Sequence, residues 1–267
     1  MITPLRLLIL GGTGEAAALA SALAERFGAA LGLVSSLAGR TGTVPDVPGR
    51  VRIGGFGGAD GLAAYLRGEM VHAVIDATHP FAARISDHAV RACAAAGVPR
   101  LTLVRPPWVR RDGDRWTEAD TMGGAAARLP SLGRRAFLAV GRQELPAFAR
   151  TAGVRFLVRL LAPAPLDLPE SEVVIGRGPF GLEDEIRLLR RHSIDVVVAK
   201  AAGGEATYAK IAAARALSLP VLMVRRPLPP AGPAVTTIAA ALDWTAAVMA
   251  ARGAAHDRDR AHTAGNR

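Results

Sequence analysis

Short apolar runs alternate with longer Ala-rich stretches along most of the chain. Runs at 5–10, 31–35, 50–54, 72–76 and 100–104 read as strands, and the stretches 14–27, 59–68 and 80–97 between them read as helices. The runs are rich in Leu, Val and Ile, as in strands covered on both faces, so the alternation predicts right-handed βαβ units around a parallel sheet. The periodicity fails from Arg105 to about Pro130, through Pro106, Pro107, a charged turn around Asp112 to Arg115, and Gly123-Gly124. It resumes with strands near 136–140, 155–160, 172–176, 195–199 and 221–225, and helices near 143–150, 181–192 and 205–217. The expected organisation is a first domain over 1–105, a linker or boundary over 106–130, and a second domain over 131–251 ending in an Ala-rich helix at 236–251. The polar stretch 252–267 has too little apolar surface to order itself and is expected to be disordered.

Composition adds constraints. Half of the 267 residues are hydrophobic but only 4% are aromatic, so the core is built mainly of Ala, Val, Leu and Ile. That suits helices packed on a parallel sheet. The apolar runs fall far short of the ~20 residues that span a bilayer. Leu5 to Leu10 read as a first strand rather than as the core of a signal peptide, and a cytoplasmic, non-membrane protein is expected. The single cysteine, Cys93, lies in an Ala-rich helical stretch with no partner for a disulfide or a Cys-based metal site, and no metal site is expected. A net charge of +10 is compatible with nucleic acid, an anionic membrane or a small polyanion. The basic residues form no block and carry no interleaved aromatics, which counts against nucleic acid and leaves the small polyanion. Among the 33 basic residues only Lys200 and Lys210 are lysines.

The strongest chemical signal follows the first strand, where Gly11-Gly12-Thr13-Gly14-Glu15-Ala16-Ala17 places G-x-G-x-x-A between a strand and a helix. Gly12 allows a sharp turn, Gly14 allows the backbone to approach a pyrophosphate, and Ala17 allows close helix–strand packing. The phosphates would meet the helix N-terminus. About twenty residues on, where an NAD site carries an acid for the adenosine ribose, the chain reads Ser35-Ser36-Leu37-Ala38-Gly39-Arg40-Thr41. Hydroxyls and a guanidinium suit a 2′-phosphate, so NADPH is expected over NADH. The fourth strand ends in Asp76-Ala77-Thr78-His79-Pro80-Phe81-Ala82, at the ligand-facing end of a parallel sheet. Pro80 suits the first turn of a helix, Thr78 or His79 could cap it, and His79 could alternatively move a proton beside a cofactor.

These motifs resemble the precorrin-6A reductase (precorrin-6x reductase) family of the cobalamin pathway over roughly residues 5–227. The carriers are the Gly11 to Ala16 turn, Ser36 to Arg40, the Asp76 to Ala82 run, Arg105-Pro106-Pro107-Trp108, Val140-Gly141-Arg142, and Gly203-Gly204 through Lys210. The resemblance implies two Rossmann-like domains with parallel sheets, NADPH mainly on the first, and a tetrapyrrole-derived polycarboxylate in a ligand cleft between them. It also implies reduction of one macrocycle double bond by hydride transfer. Where the family often shows Lys-Asn-Ser-Gly-Gly, this chain has Lys200-Ala201-Ala202-Gly203-Gly204. Carboxylates of such a substrate call for cations, and Arg142, Arg177 and Lys200 stand near predicted strand ends, with Gly203 and Gly204 beside the last. Lys200, a compact ammonium, could also meet a developing charge. Two other classes remain open. A short-chain dehydrogenase or epimerase shares the Gly-rich turn but needs Tyr-x-x-x-Lys, and Glu69 and Ala212 stand four residues after Tyr65 and Tyr208. A non-catalytic NADPH-sensing regulator would leave the Lys200 to Gly204 segment without a purpose. Oligomeric state is not legible.

Overall fold

The structure, a computed structural model, describes residues 4–39 and 46–264, with side chains described as far as Ala254. In chain order its main elements are β1 (Leu5–Leu10), α1 (Gly14–Phe27), β2 (Leu31–Leu37), β3 (Arg50–Ile53), α2 (Gly58–Gly68), β4 (Ala73–Asp76), α3 (Ala83–Ala96) and β5 (Arg100–Leu103). There follow β6 (Arg115–Ala119), α4 (Met122–Arg128), β7 (Arg135–Ala139), β8 (Arg155–Leu160), β9 (Ser171–Ile175), α5 (Leu182–Arg191), β10 (Val196–Lys200), α6 (Ala209–Ala216), β11 (Pro220–Val224), β12 (Ala234–Val235) and α7 (Ile238–Ala264). The chain divides into two compact units, residues 1–104 with 228–267, and residues 105–227. Each is an α/β unit on a six-stranded sheet whose strand pairs are all parallel. Among the described residues, no helix is long and apolar enough to cross a membrane.

Sheet one has the order β12-β5-β4-β1-β2-β3. Leu7 and Ile9 pack with Leu19 and Leu23 of α1 on one face, while Leu8 and Leu10 pack with Leu62 and Leu66 of α2 and Ala89 and Cys93 of α3 on the other. That two-sided burial is why the strand reads as an unbroken apolar run. Cys93 is buried, and desolvation pushes its thiol up to about 11, so it is a packing residue with little thiolate at neutral pH. Sheet two has the order β6-β11-β10-β7-β8-β9, with Phe137, Val197, Ala199 and Met223 packed against Leu189 of α5 and Ile211 of α6. In both sheets the order reverses at a central strand, β1 in one and β7 in the other.

Four expectations from the sequence need correction. The expected linker 106–130 contains β6 and α4. β6 is an edge strand with mostly half-exposed or exposed side chains, so it lacks an apolar run, and α4 forms despite its glycine pair because Thr121 accepts from the Gly124 N–H at 2.9 Å and Ala125 and Ala126 are buried. The last helix does not belong to the second domain: Ala241, with Leu242, Trp244 and Val248, packs on the α1 face of sheet one. It also runs on through Ala264, into the stretch expected to be disordered, because Ala and Arg are strong helix formers and extending an existing helix avoids the cost of nucleation. Finally, α3 starts at Ala83, not residue 80, and neither Thr78 nor His79 caps it, since its cap residue is Ala82 and makes no side-chain cap bond. Pro80 sits in a turn closed by the Ala82 N–H donating to the His79 carbonyl at 2.7 Å.

Candidate functional site

In the first unit the candidate residues gather where β1 and β4 end side by side, the point at which connections leave to opposite faces of the sheet and open crevices form. The chain turns at Gly12 with φ +102°, a conformation that disfavours a side chain. Gly11 is tied to β2 by its N–H donating to the Ser36 carbonyl at 2.9 Å, and a Cβ there would lie 3.2 Å from Ala16 Cβ. The tight helix–strand approach therefore sits at buried Ala16, one residue earlier than expected; Ala17 is only half-buried. Thr13 caps α1, accepting from the Ala16 N–H at 3.1 Å, and its hydroxyl donates to the Ala77 carbonyl at 3.0 Å. That second bond stitches the turn after β1 to the loop after β4. Gly14 opens α1, is exposed, and a Cβ there would meet nothing within 4 Å. Glu15 follows in the first helical turn.

The loop after β4 is organised by Asp76, which is 1% exposed. Its Oδ1 accepts from the Thr78 N–H at 3.1 Å and the Thr78 hydroxyl at 2.7 Å, while Oδ2 is buried with no hydrogen-bond partner among the described residues. His79 Nδ1 accepts from the Phe81 N–H at 3.2 Å, so this imidazole shapes the turn over which Pro80 and Phe81 pass. Ser35 and Ser36 are buried near the end of β2. Arg40 and Thr41 lie outside the described residues.

In the second unit the corresponding strand ends are those of β7 and β10. Lys200 closes β10, and its Nζ donates to Glu144 Oε1 at 2.8 Å, an ion pair whose side chains are 15% and 24% exposed. Glu144 lies in the short 3₁₀ helix Arg142–Phe148, and its carboxylate folds back over Gly141, where a Cβ would fall 2.5 Å from Oε2. Arg142, after β7, and Arg177, just after β9, are both exposed at this same end of the sheet. Gly203 and Gly204 have a packing reason of their own. Gly203 adopts φ +70° and a Cβ there would lie 2.0 Å from the Pro106 carbonyl oxygen, while the Trp108 indole donates to the Gly204 carbonyl at 2.7 Å. Gly203→Ala is accordingly expected to destabilise the chain by about 3 kcal/mol or more, from backbone strain and overlap with the Pro106 segment together. Chemical denaturation checks this, and a stability near wild type would show that the 105–108 segment can yield.

Three charged groups here, Glu144, Arg159 and Glu185, carry no mark in the sequence. Glu144 has no motif that marks it. Arg159 forms a two-pronged pair with Glu185 at 3.1 and 2.6 Å, Glu185 being 1% exposed, and the guanidinium rests 3.9 Å over the Phe180 ring. Lys210, the other lysine of the chain, is 7% exposed. Its Nζ donates to the Thr207 carbonyl at 2.6 Å and lies 5.1 Å from the Trp108 ring centre. Burial pulls its pKa down to about 7; Glu185 opposes the shift, and Arg159, Lys200 and Arg105 reinforce it. The one sequence signal for Lys210 was its survival as lysine in a chain that otherwise uses arginine.

Fold and site define a class: a protein of two Rossmann-like units with parallel sheets, carrying a Gly-rich turn at the central strand of the first and the Lys200–Glu144 ion pair at the carboxyl edge of the second. Comparison narrows it. The family model for precorrin-6x reductase CbiJ/CobK matches residues 6–246. A precorrin-6A reductase from Rhodococcus erythropolis is 51% identical over 242 residues, covering 90% of this chain and 96% of the relative. One from Rhodobacter capsulatus is 47% identical over 243 residues, covering 90% and 96%. A solved structure described as CobK precorrin-6A reductase superposes with a TM-score of 0.86 at 46% identity, covering 91% of this chain and 96% of that one. The chain belongs to the precorrin-6x reductase CbiJ/CobK family and is an oxidoreductase.

Proposed function

We propose that this chain reduces one double bond of precorrin-6A, a carboxylate-rimmed macrocycle, at the expense of NADPH. The observation that carries the cofactor half is the Gly11 to Gly14 turn: it stands where β1 and β4 part, and Gly14 has open space above it and no positive φ, so nothing among the described residues requires a glycine there. A pyrophosphate resting on the N-terminus of α1 would require it. The residues thus fit a dinucleotide, with Gly11, Gly12, Thr13, Gly14, Glu15 and Ala16 at the phosphates, Ser35 and Ser36 towards the adenosine ribose, and Asp76, Thr78, His79, Pro80 and Phe81 along the β4 loop; Arg40, outside the described residues, joins Ser35 and Ser36 on the sequence alone. When bound, the dinucleotide supplies the hydride. The missing acid after β2 favours NADPH over NADH.

The chain's own groups bind and orient. Thr13 holds the phosphate turn and the β4 loop in one piece through Ala77. His79 already accepts through Nδ1, so any proton it moves passes through Nε2. Lys200, with Arg142 and Arg177, supplies cations for substrate carboxylates, Lys200 leaving Glu144 or sharing it. A planar guanidinium does not reproduce a compact ammonium in that half-buried place, so Lys200→Arg is expected to lower kcat/KM for the macrocycle by about tenfold or more while NADPH affinity stays within twofold. Wild-type kinetics would return Lys200 to a purely structural ion pair. The reading as a whole is tested by mixing the chain with precorrin-6A and following NADPH absorbance and product mass. A product two hydrogens heavier, formed at the rate of NADPH loss, is expected; no oxidation of either NADPH or NADH would overturn it.

A further inference from the structure

The sequence points to a 2′-phosphate through the missing acid after β2 and through Ser35, Ser36 and Arg40; Arg40 lies outside the described residues, yet a second guanidinium stands within them. β3 pairs in register with β2, and Arg52 lies directly opposite Ser36. Registered residues of a parallel pair point to the same face, and Ser36 shares its face with Val34, which packs with the α2 and α3 cluster. Arg52 and buried Ser36 therefore project from the same side of the sheet at its carboxyl end. The Arg52 side chain is held in place. Its Cζ lies 3.8 Å from the Phe56 ring centre and 5.2 Å from that of Tyr65, and its two terminal nitrogens donate to the carbonyls of Gly54 at 2.7 Å and Gly55 at 2.8 Å. Two of five N–H donors are thereby used, and among the described residues Arg52 makes no ion pair.

The loop that holds it, Gly54-Gly55-Phe56-Gly57-Gly58, carries the same mark as the phosphate turn. Gly54, Gly57 and Gly58 have positive φ, which accounts for them. Gly55 does not, and a Cβ there would meet nothing within 4 Å, so, as at Gly14, no contact among the described residues calls for glycine. A half-buried, pre-aligned guanidinium without a carboxylate, beside a backbone stripped of side chains, suits a phosphate ester on a nucleoside.

We propose that Arg52 is a specificity-determining residue of the dinucleotide site: its guanidinium takes the adenosine 2′-phosphate, and the Gly54 to Gly58 loop leaves room for the adenosine. This rests on the NADPH reading above. Phe56 and Tyr65 form the apolar bed that fixes the fork, so the phosphate meets a donor already oriented rather than one that must be ordered on binding. The test is titration of the full chain with NADPH and with NADH, for the wild type, Arg52→Gln and Arg52→Lys. Arg52→Gln should weaken NADPH tenfold or more and NADH less than twofold, collapsing the preference. Arg52→Lys, which keeps the charge but not the fork, should fall between the two. Equal losses for both dinucleotides would make Arg52 a loop-shaping residue and overturn the proposal, as would an unchanged NADPH preference in Arg52→Gln. A wild-type chain that binds neither dinucleotide would overturn the cofactor reading itself, an outcome distinct from either.

Discussion

Gly14→Val is expected to weaken NADPH binding at least about hundredfold while leaving the thermal midpoint within about 3 °C of wild type. The two halves of that expectation have separate causes. Gly14 is the first residue of α1, lacks a positive φ, and a Cβ there meets nothing within 4 Å among the described residues, so the fold leaves space for a small side chain. Helix propensity even favours the change slightly. The same side chain would stand between the first N–H groups of α1 and a pyrophosphate; loss of two charge-assisted hydrogen bonds at about 1.5 kcal/mol or more each accounts for the factor of a hundred. Gly12 does not allow the separation, since at φ +102° any side chain strains the turn whether or not a ligand is present. Isothermal titration beside a thermal melt reads both quantities. An unimpaired Gly14→Val would remove the phosphates from this turn.

A second large effect concerns pH and Lys210. Burial lowers its folded pKa to about 7 from the ordinary 10.5. Between those values the unfolded chain carries a proton on Lys210 that the folded chain does not, so this residue makes stability rise as pH rises through the window. Below pH 7 both states carry the proton and the full cost of keeping an ammonium buried in the first turn of α6, at the positive end of that helix, is present. Lys210→Met removes the titration. The stability difference between wild type and Lys210→Met should therefore move in favour of the wild type by roughly 2 to 3 kcal/mol between pH 7 and pH 9, measured by urea denaturation at fixed ionic strength. A difference that stays constant across that range would mean that Lys210 keeps its proton in the folded chain.

How much of this was legible in the sequence depended on burial. Strands covered on both faces, such as β1, β4 and β10, announce themselves as apolar runs, and the Gly-rich turn is readable because its constraint is local. The edge strands β6 and β12 gave no such signal, since each pairs on one side only; β12 is two residues long and β6 reads Arg-Trp-Thr-Glu-Ala. Lys200 could be placed at a strand end from its position after Val196 to Ala199, but Glu144, 56 residues away, could not, because nothing in the intervening chain encodes the approach of β7 to β10. Gly203 and Gly204 were readable as a special backbone but not as the seat of the Pro106 to Trp108 segment. Arg52 was one arginine among many until the β2–β3 register set it against Ser36.

The path of the chain between its sheets has a consequence for how the protein is made. After β5 the chain passes into sheet two as the edge strand β6, and after β11 it returns to sheet one, where the Thr102 N–H donates to the Pro233 carbonyl and the Val104 N–H to the Val235 carbonyl, both β5-to-β12 bonds at 3.0 and 2.7 Å. The helix that covers the α1 face arrives later still. A nascent chain leaving the ribosome therefore has every residue of the Gly-rich turn in hand from the start, yet cannot close the layer around it until the segment from residue 228 onward has been translated. Until then the open edge of β5 and the surface that Val235, Ile238, Leu242, Trp244 and Val248 pack against remain unpaired or apolar, a natural target for chaperones on incomplete chains. A stop codon near position 228 would accordingly injure the half of the molecule that was synthesised first.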